Sequence, residues 1–211
     1  EEMYYPPQER FNGRKEIDTR KLNYSYYWVD YKQAAAVPYV QDYKAGTGKY
    51  VGEASDIEGV RKPVNDRSAF IIHDIINVYP DTLCWIRDFT YSLNDPQASI
   101  YFWHPSFDDY PVVGVSWVQA KAFSIWRTDY MNTALRQNGI PDVQAYRLPT
   151  ETEWEYAARG GLDLSMYPWG GPYTRNYKGC FLANFKPLRG NYIDDGSVYA
   201  AKVGSYEPNE Y

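Results

Sequence analysis

The chain has 211 residues, a formal net charge of −5 and a sequence pI of about 5.1. This length suits one domain with an extension. The acidic balance, without any basic stripe, argues against nucleic acid as a partner. No apolar run in the sequence approaches the roughly 20 residues of a membrane span, and no glycine-rich phosphate-binding motif supports nucleotide binding.

The N-terminal third of the sequence predicts little regular structure. Residues 1–23 are polar and charged, with Pro6 and Pro7, and predict an extended or mobile arm. Residues 24–37 change from aromatic to alanine-rich, which predicts a strand leading into a short helix. Residues 38–69 scatter glycine and charge without a clean period, so we expect a long irregular excursion there.

Two apolar segments and a longer helix follow. Residues 70–79 are strongly apolar, but they are too few for their period to distinguish a short helix from a buried strand. The β-branched run 111–116 predicts a strand. Ser116 is then well placed to cap a helix that begins at Trp117 and ends near Leu135.

Residues 143–148 predict one more strand before a second capped helix. Thr150 and Glu153 have the spacing of a capping box, which predicts a short helix over residues 151–159. Regular structure then thins out over residues 162–211. An irregular segment of that length has to be stabilised by aromatic packing, buried carboxylates or a metal ion.

The two cysteines, Cys84 and Cys180, are too few for a disulfide scaffold. Three states stay open: two buried thiols, one disulfide, or pairing with cysteines beyond the chain ends. Both lie among apolar neighbours rather than in the electropositive setting of a reactive thiol. That pattern favours structural burial over catalysis.

The two histidines, His73 and His104, also lack a catalytic context in the sequence. A catalytic histidine needs a nucleophile beside it, and a zinc site needs ligand spacing that is missing here. We therefore expect core histidines bonded to nearby backbone groups or carboxylates.

Three glutamates, Glu151, Glu153 and Glu155, fall in the first turns of the second predicted helix. Negative charge there suits the helix dipole, and Arg147 and Arg159 offer ion-pair partners. We expect a structural network rather than a catalytic carboxylate pair.

Asn184 and the turn of Asp194, Asp195 and Gly196 form the most ligand-like polar cluster. Calcium takes oxygen ligands from Asp, Asn and backbone carbonyls, although the spacing is not that of an EF-hand. The alternative is a set of Asx-turns that bond the loop backbone. Residue types alone leave both interpretations open.

Four separated motifs occur in the order of one known family. They are PVVGVSWVQAKAFSIWRT (Pro111–Thr128), RLPTETEWEYAARGG (Arg147–Gly161), YPWGG (Tyr167–Gly171) and ANF (Ala183–Phe185). Together they resemble the formylglycine-generating, or sulfatase-modifying-factor, family. The resemblance implies an α+β, C-type-lectin-like fold with few short helices and strands, much irregular loop and often bound calcium.

Applied to the whole chain, the resemblance implies two parts. It assigns residues 24–211 to a sulfatase-modifying-factor-like domain that is truncated at both ends. Residues 1–23 stay outside it as the arm.

Three longer segments narrow the resemblance to the GldK/PorK lipoproteins of type IX secretion in Bacteroidetes. They are Asn77–Pro96, Tyr101–Trp117 and Gly179–Gly196. The resemblance implies a non-catalytic structural subunit of the periplasmic secretion ring, attached to the outer membrane through an N-terminal lipid outside this chain. Its implied partners are a GldN/PorN-type subunit and further copies of itself.

The family's enzymes use a pair of cysteines with copper, located C-terminal to the region that this chain resembles. Cys84 and Cys180 do not lie in that motif. The resemblance therefore implies a pseudoenzyme with no catalytic residue, no cofactor-binding residue and no copper. The alternatives are an active formylglycine-generating oxidase and a lectin-like glycan-binding module.

The resemblance also implies a calcium site. In the family an Asn of the ANF-type segment and an Asp of the following turn ligate calcium, with backbone oxygens beside them. The matching positions here are Asn184, Phe185, Asp195 and Ser197.

Overall fold

The computed structural model describes residues 3–211 except 89, 92–94, 188 and 210. Short helices and short antiparallel strands alternate with long irregular segments, which confirms the predicted α+β class. The chain divides into two compact units. One unit joins the chain up to Tyr79 to Ser116–Arg147, and the other joins Pro80–Val115 to Leu148–Tyr211.

Within the described part of the chain, six strands form three separate antiparallel pairs. The strands are β1 (Asn23–Val29), β2 (Tyr39–Asp42), β3 (Thr47–Tyr50), β4 (Glu53–Ser55), β5 (Arg61–Pro63) and β6 (Ile71–Asn77). The helices are α1 (Tyr31–Ala36), α2 (Cys84–Asp88), α3 (Pro96–Ile100), α4 (Trp117–Gln137) and α5 (Glu151–Arg159). The described residues include no helix with both the length and the hydropathy of a membrane span.

The segment before β1 is folded into turns rather than extended. It carries 3-10 turns at Pro7–Glu9, Phe11–Gly13 and Thr19–Lys21. Asp18 is 1% exposed, and its carboxylate accepts from the Arg20 guanidinium at 2.8 Å. That hydrogen bond is the main cause that lowers the pKa of Asp18. The largely exposed Arg20 pairs with both the buried Asp18 and Glu9 and so joins the first and third turns. Residues 3–22 are therefore folded into turns.

The strand and helix predicted over residues 24–37 are confirmed as β1 and α1. The open choice at residues 70–79 is settled as a strand, β6, which pairs antiparallel with β1. One face of this pair carries the buried Tyr26 and Ile72 and contacts α4. The Lys121 ammonium of α4 lies 3.0 Å from the centre of the Trp28 ring on that face, a cation–π contact that joins helix to sheet.

The expected irregular excursion at residues 38–69 is wrong. Two hairpins occupy it, β2–β3 and β4–β5, because glycine-containing turns bring short strands back on themselves. A small apolar core forms beneath the second hairpin from Ala54, Val64 and Phe70.

The helix predicted from Trp117 is confirmed as α4. The Ser116 hydroxyl accepts from the backbone N–H of Gln119 at 3.2 Å, and the Gln119 side chain accepts from the Ser116 backbone at 2.8 Å. This reciprocal box satisfies two N–H groups that a helix start leaves without partners. The helix ends at Gln137, two residues beyond the predicted end.

Both short strands predicted on either side of α4 are wrong. Residues 143–148 have no strand partner, since side chains of α4 satisfy their backbone. Asn132 accepts from the Val143 N–H at 2.9 Å, and Thr128 accepts from the Tyr146 N–H at 2.9 Å. Residues 111–116 also have no strand partner. The Pro111 carbonyl accepts from the Tyr101 hydroxyl at 2.5 Å, and the Gly114 carbonyl accepts from the Asp81 N–H at 2.7 Å.

Aromatic packing organises the second unit. Tyr101 is 7% exposed, and its ring centre lies 5.3 Å from that of Trp85 and 5.0 Å from that of Phe107. Tyr199 also packs against Trp85, with the two ring centres 5.6 Å apart. Long segments without regular structure are thus fixed by side-chain packing, as their aromatic content suggests.

Candidate metal centre

The candidate site lies in the irregular C-terminal segment, which an arginine ties together. Arg175 donates to the Gly179 carbonyl at 2.8 Å and to the Asp194 carboxylate at 2.5 Å. Its guanidinium also lies 3.7 Å from the centre of the Phe181 ring. These contacts hold the turn of residues 191–197 against the preceding segment.

The two adjacent aspartates of this turn have different tasks. Asp194 is half-exposed and forms the ion pair with Arg175. Asp195 points the other way: one carboxylate oxygen accepts from the Phe185 N–H at 2.9 Å, and the other accepts from the Ser197 N–H at 3.2 Å. Sequence reasoning singled out Asp195 only through the family resemblance, because neighbouring aspartates look alike in a sequence.

All four predicted calcium residues lie in one cluster. Phe185 and Ser197 are joined through Asp195, and Asn184 is the neighbour of Phe185 in the chain. The Asn184 amide nitrogen donates to the Tyr199 carbonyl at 2.6 Å. The amide oxygen of Asn184 is therefore the side-chain atom left to act as a ligand.

The chemical types of the available ligands fit a hard divalent cation. It consists of one carboxylate, one amide oxygen and the backbone carbonyls of Phe185 and Ser197, which are ligands that calcium prefers. A carboxylate has about four acceptor sites, so the two N–H bonds to Asp195 leave room for an ion. The described residues contain no group of three or more His, Cys, Asp or Glu side chains able to hold a metal. A single carboxylate predicts weak binding.

The same contacts also support the turn-forming alternative. Asp195 bonds the N–H of Ser197, two residues ahead, which is the bond of an Asx-turn. The Tyr206 hydroxyl donates to the Asp195 carbonyl at 3.4 Å, and the Asp195 charge contributes, after burial, to raising the pKa of Tyr206. The hydrogen bonds of Asp195 therefore fix the conformation of this loop without an ion, and a bound ion would stabilise it further.

The cysteines do not form a paired redox site. Both are free thiols. Cys84 is half-buried, and burial is the main cause that raises its pKa. Cys180 is exposed, which makes its predicted burial wrong. Its apolar neighbour Phe181 packs against Arg175 and leaves the thiol outside that contact.

The histidines also differ from each other. His104 is half-buried, and its ring accepts from the Ser106 N–H at 3.2 Å, so the predicted backbone bond is confirmed. His73 is exposed on β6, so its prediction as a core residue is wrong. The His73 ring lies 2.7 Å from the Ser25 hydroxyl and stacks on Tyr27 at 4.6 Å.

The serine–histidine contact has the distance of a nucleophile and its base. A catalytic triad also needs a third group that orients the histidine. Among the described residues no hydrogen bond joins a carboxylate to His73, and the adjacent Asp74 instead accepts from the Tyr26 hydroxyl at 3.0 Å. The sequence could not reveal this pair, since strand pairing brings together residues 48 positions apart.

Two of the three predicted glutamates of α5, Glu153 and Glu155, form the predicted structural bonds. Glu153 closes a capping box with Thr150, in which its carboxylate accepts from the Thr150 N–H at 2.8 Å. Glu155 pairs with Arg159 one turn later at 2.9 Å. These bonds stabilise the helix start and its surface.

Comparison of the sequence with known proteins identifies relatives of this chain. The chain is 36% identical over 104 residues to the inactive C-alpha-formylglycine-generating enzyme 2 of Bos taurus, covering 49% of this chain and 28% of that protein. It is 36% identical over 104 residues to the formylglycine-generating enzyme of Thermomonospora curvata, covering 49% of this chain and 29% of the enzyme. For the formylglycine-generating enzyme of Streptomyces coelicolor the identity is 37% over 102 residues, covering 48% and 27%.

The chain thus matches less than a third of the length of these relatives. No solved structure matches it. The family model for the sulfatase-modifying factor enzyme 1-like domain matches residues 93–211, more than half of the chain. The chain therefore belongs to the family of the sulfatase-modifying factor enzyme 1-like domain, with its α+β, formylglycine-generating-enzyme-like fold.

Proposed function

We propose that this protein is a non-catalytic structural subunit of the periplasmic ring of a type IX secretion system, similar to GldK/PorK. Its partner is a GldN/PorN-type subunit, and it associates with copies of itself. The proposal places it in the periplasm of a Bacteroidetes bacterium, attached to the outer membrane through an N-terminal lipid.

The observation that supports a non-catalytic role is the similarity to a relative named as inactive, the inactive C-alpha-formylglycine-generating enzyme 2 of Bos taurus. Cys84 and Cys180, which lie outside the cysteine motif of the resembled oxidases, are free thiols in different environments. The thiolate is the reactive form of cysteine, and burial raises the pKa of Cys84. A relative named as inactive stands beside relatives named as enzymes, so the family includes both kinds.

The secretion assignment rests on the longer segments that resemble GldK/PorK. The segment Gly179–Gly196 contains the bonded pair of Phe185 and Asp195, and Tyr101–Trp117 contains the packed pair of Tyr101 and Phe107. Exposed aromatic residues outside this packing suit a protein that binds other proteins. Trp103 and Trp154 are 70% and 65% exposed, and protein interfaces are enriched in such side chains.

Binding to the partner is the direct test. The full-length protein and a GldN/PorN-type subunit of the same organism are mixed at about 10 μM each and run on a sizing column. We expect co-elution of the two proteins, and the Streptomyces coelicolor formylglycine-generating enzyme, as a control of the same fold, should elute alone. Separate elution of the two proteins would contradict the proposed partner.

We also propose that Asn184, Phe185, Asp195 and Ser197 bind calcium. A bound ion would supply a cross-link between the ANF segment and the turn that follows it. No copper is expected. With one carboxylate, the dissociation constant should lie near that of weak extracellular calcium modules, about 0.1–1 mM.

Calcium binding is tested by thermal unfolding with 5 mM calcium or with a chelator. At about ten times the dissociation constant, calcium stabilises by roughly 1.4 kcal/mol, which corresponds to a rise in Tm of about 3–6 °C for a domain of this size. Asp195→Asn should abolish the rise. Asp194→Asn, which breaks only the exposed pair with Arg175, should keep it. A Tm that does not respond to calcium would remove the site.

A second candidate function is an active formylglycine-generating oxidase. The observation in its favour is the similarity to enzymes of that name in Thermomonospora curvata and Streptomyces coelicolor. Activity on a peptide substrate separates the two functions.

A further inference from the structure

A cavity of about 270 Å³ lies beside the 3-10 turn at Pro105–Phe107 in the second unit. Three aromatic residues line it, Trp103, Phe107 and Tyr110, together with Asp108. The ring centres of Phe107 and Tyr110 are 5.1 Å apart and their planes are inclined at 64°, so the two rings form walls in different directions. Pockets for drug-sized ligands begin at about 300 Å³, which makes this cavity suitable for a smaller group.

The polar atoms of the aromatic walls are already bonded within the chain. The indole N–H of Trp103 donates to the Ser99 carbonyl at 3.0 Å, and the Tyr101 hydroxyl donates to the Pro111 carbonyl at 2.5 Å. The Nδ1 atom of His104 accepts from a backbone N–H at 3.2 Å. The walls therefore offer a ligand ring surface rather than free hydrogen-bonding atoms.

The carboxylate of Asp108 is the exception. It is exposed, and within the described part of the chain it forms no hydrogen bond and no ion pair. The neighbouring Asp109, in contrast, pairs with the Lys202 ammonium at 2.5 Å. The cavity thus carries a negative charge that no cation of the described residues neutralises.

The rings of the cavity also lack a cation from the chain itself. The cation–π contacts between described residues involve other rings and not those of Trp103, Phe107 or Tyr110. Aromatic faces attract cations, and sites built from several such faces are used to recognise quaternary ammonium groups.

We propose that this cavity binds a quaternary ammonium group, such as that of choline. The rings and the Asp108 carboxylate both favour a cation over a neutral or anionic ligand. A primary ammonium would bring three N–H donors, and donors that lose water without gaining acceptors carry a large cost. A quaternary ammonium has no N–H donor, so it fits walls whose polar atoms are already bonded.

The same group occurs in free choline and in the headgroup of choline lipids, and the experiment separates these two sources. The inference uses no residue of the cluster around Asp195 and does not depend on the proposed role in secretion.

The test is ligand-observed NMR of the full-length protein with choline chloride, whose equivalent methyl protons give one resonance. We expect a dissociation constant on the order of 1 mM. The matched ligand is the neutral analogue of choline in which carbon replaces the charged nitrogen, and it should bind at least about tenfold more weakly. If phosphatidylcholine vesicles also bind, in a manner that depends on Trp103, the ligand is a lipid headgroup. Binding of choline without binding of vesicles assigns the cavity to a soluble ligand.

Two pairs of variants locate the site. Trp103→Ala removes one ring of the cavity and should weaken choline binding about fivefold, whereas Trp154→Ala, an exposed tryptophan that does not line it, should change binding less than about twofold. Asp108→Asn should weaken binding about three- to tenfold at 50 mM salt and less at 500 mM, because salt screens exposed charges. Asp163→Asn is its control, since this exposed aspartate does not line the cavity.

Circular dichroism and Tm show whether each variant folds. If Trp103→Ala does not fold, the comparison of choline with its neutral analogue on the wild-type protein decides instead.

Four results would overturn the proposal. The first is no binding of choline at 10 mM, and the second is a neutral analogue that binds as tightly as choline. The third is an equal effect of Trp103→Ala and Trp154→Ala. The fourth is an Asp108→Asn protein that binds choline like the wild type at low salt.

Discussion

The two cysteines differ in how far their thiols are exposed to solvent. Cys180 is exposed, whereas burial of Cys84 raises the pKa of its thiol. We expect a thiol reagent at pH 8 to label Cys180 at least about tenfold faster than Cys84, because the thiolate is the reacting form. Stopped-flow labelling measures the two rates, and Cys180→Ser identifies the fast one. Equal rates would contradict the assigned environments.

The environment of the Tyr26 hydroxyl predicts that the protein loses stability at alkaline pH. Burial is the main cause that raises the pKa of Tyr26 to about 12, and its hydrogen bond to Asp74 adds to the shift. The unfolded chain ionises this tyrosine near pH 10, so its contribution is complete below pH 10 and is lost as the pH rises towards 12.

The expected loss attributable to Tyr26 is on the order of 1–2 kcal/mol between pH 9 and 12. Urea unfolding at several pH values measures it. Tyr26→Phe should flatten the curve over this range, while Tyr27→Phe, on the exposed face, should not. A Tyr26→Phe protein with the slope of wild type would contradict the assignment.

The candidate site could be predicted only in part from its residues. The resemblance selected Asp195, and the structure does place it with Phe185 and Ser197. The use of Asp194 by Arg175 could not be predicted, because the two residues are 19 positions apart. Contacts of that range depend on how the loop folds.

Among the elements, the cap of α4 offers a matched pair of serines. Ser116→Ala removes the hydroxyl that accepts from Gln119 and should cost about 1 kcal/mol of unfolding free energy. Ser124 lies inside the helix and donates to the Ala120 carbonyl. Ser124→Ala should change stability by about 0.5 kcal/mol or less, because alanine favours helix interiors. Urea unfolding compares both, and equal losses would contradict the capping role.

Substitution of two glycines that have similar φ angles should lower the free energy of unfolding by different amounts. Gly114 and Gly139 have φ angles of 70° and 69°. A Cβ at Gly114 would lie 2.3 Å from the Asp81 carbonyl oxygen, whereas a Cβ at Gly139 meets nothing within 4 Å. Gly139→Ala should cost about 1–2 kcal/mol from backbone strain alone, and Gly114→Ala about 1–3 kcal/mol more from overpacking. Similar values in urea unfolding would argue against the close approach.

The helices were more predictable than the strands because their signals are local. Ser116 with Gln119, and Thr150 with Glu153, lie three residues apart and mark both helix starts. The predictions of strands at residues 111–116 and 143–148 were wrong because side chains and loop backbone outside these segments bond to their backbone groups. The β2–β3 and β4–β5 hairpins were missed because their strands have three or four residues and no clear alternation.

At the scale of the whole molecule, the family match and the compact units do not coincide. The match begins at residue 93, whereas β1, β6 and both hairpins lie before it. The division into an arm of residues 1–23 and a domain of residues 24–211 stays a prediction. The β1–β6 pair and both hairpins therefore belong to a region outside the matched domain.

Formation of formylglycine on a sulfatase peptide separates a scaffold from an oxidase most directly. The full-length protein is incubated with copper and a cysteine-containing sulfatase peptide, and the peptide mass is followed by mass spectrometry. The Streptomyces coelicolor formylglycine-generating enzyme serves as the positive control. A non-catalytic subunit predicts no conversion above that of the peptide alone. Conversion at a rate comparable with the control enzyme would contradict the proposed function.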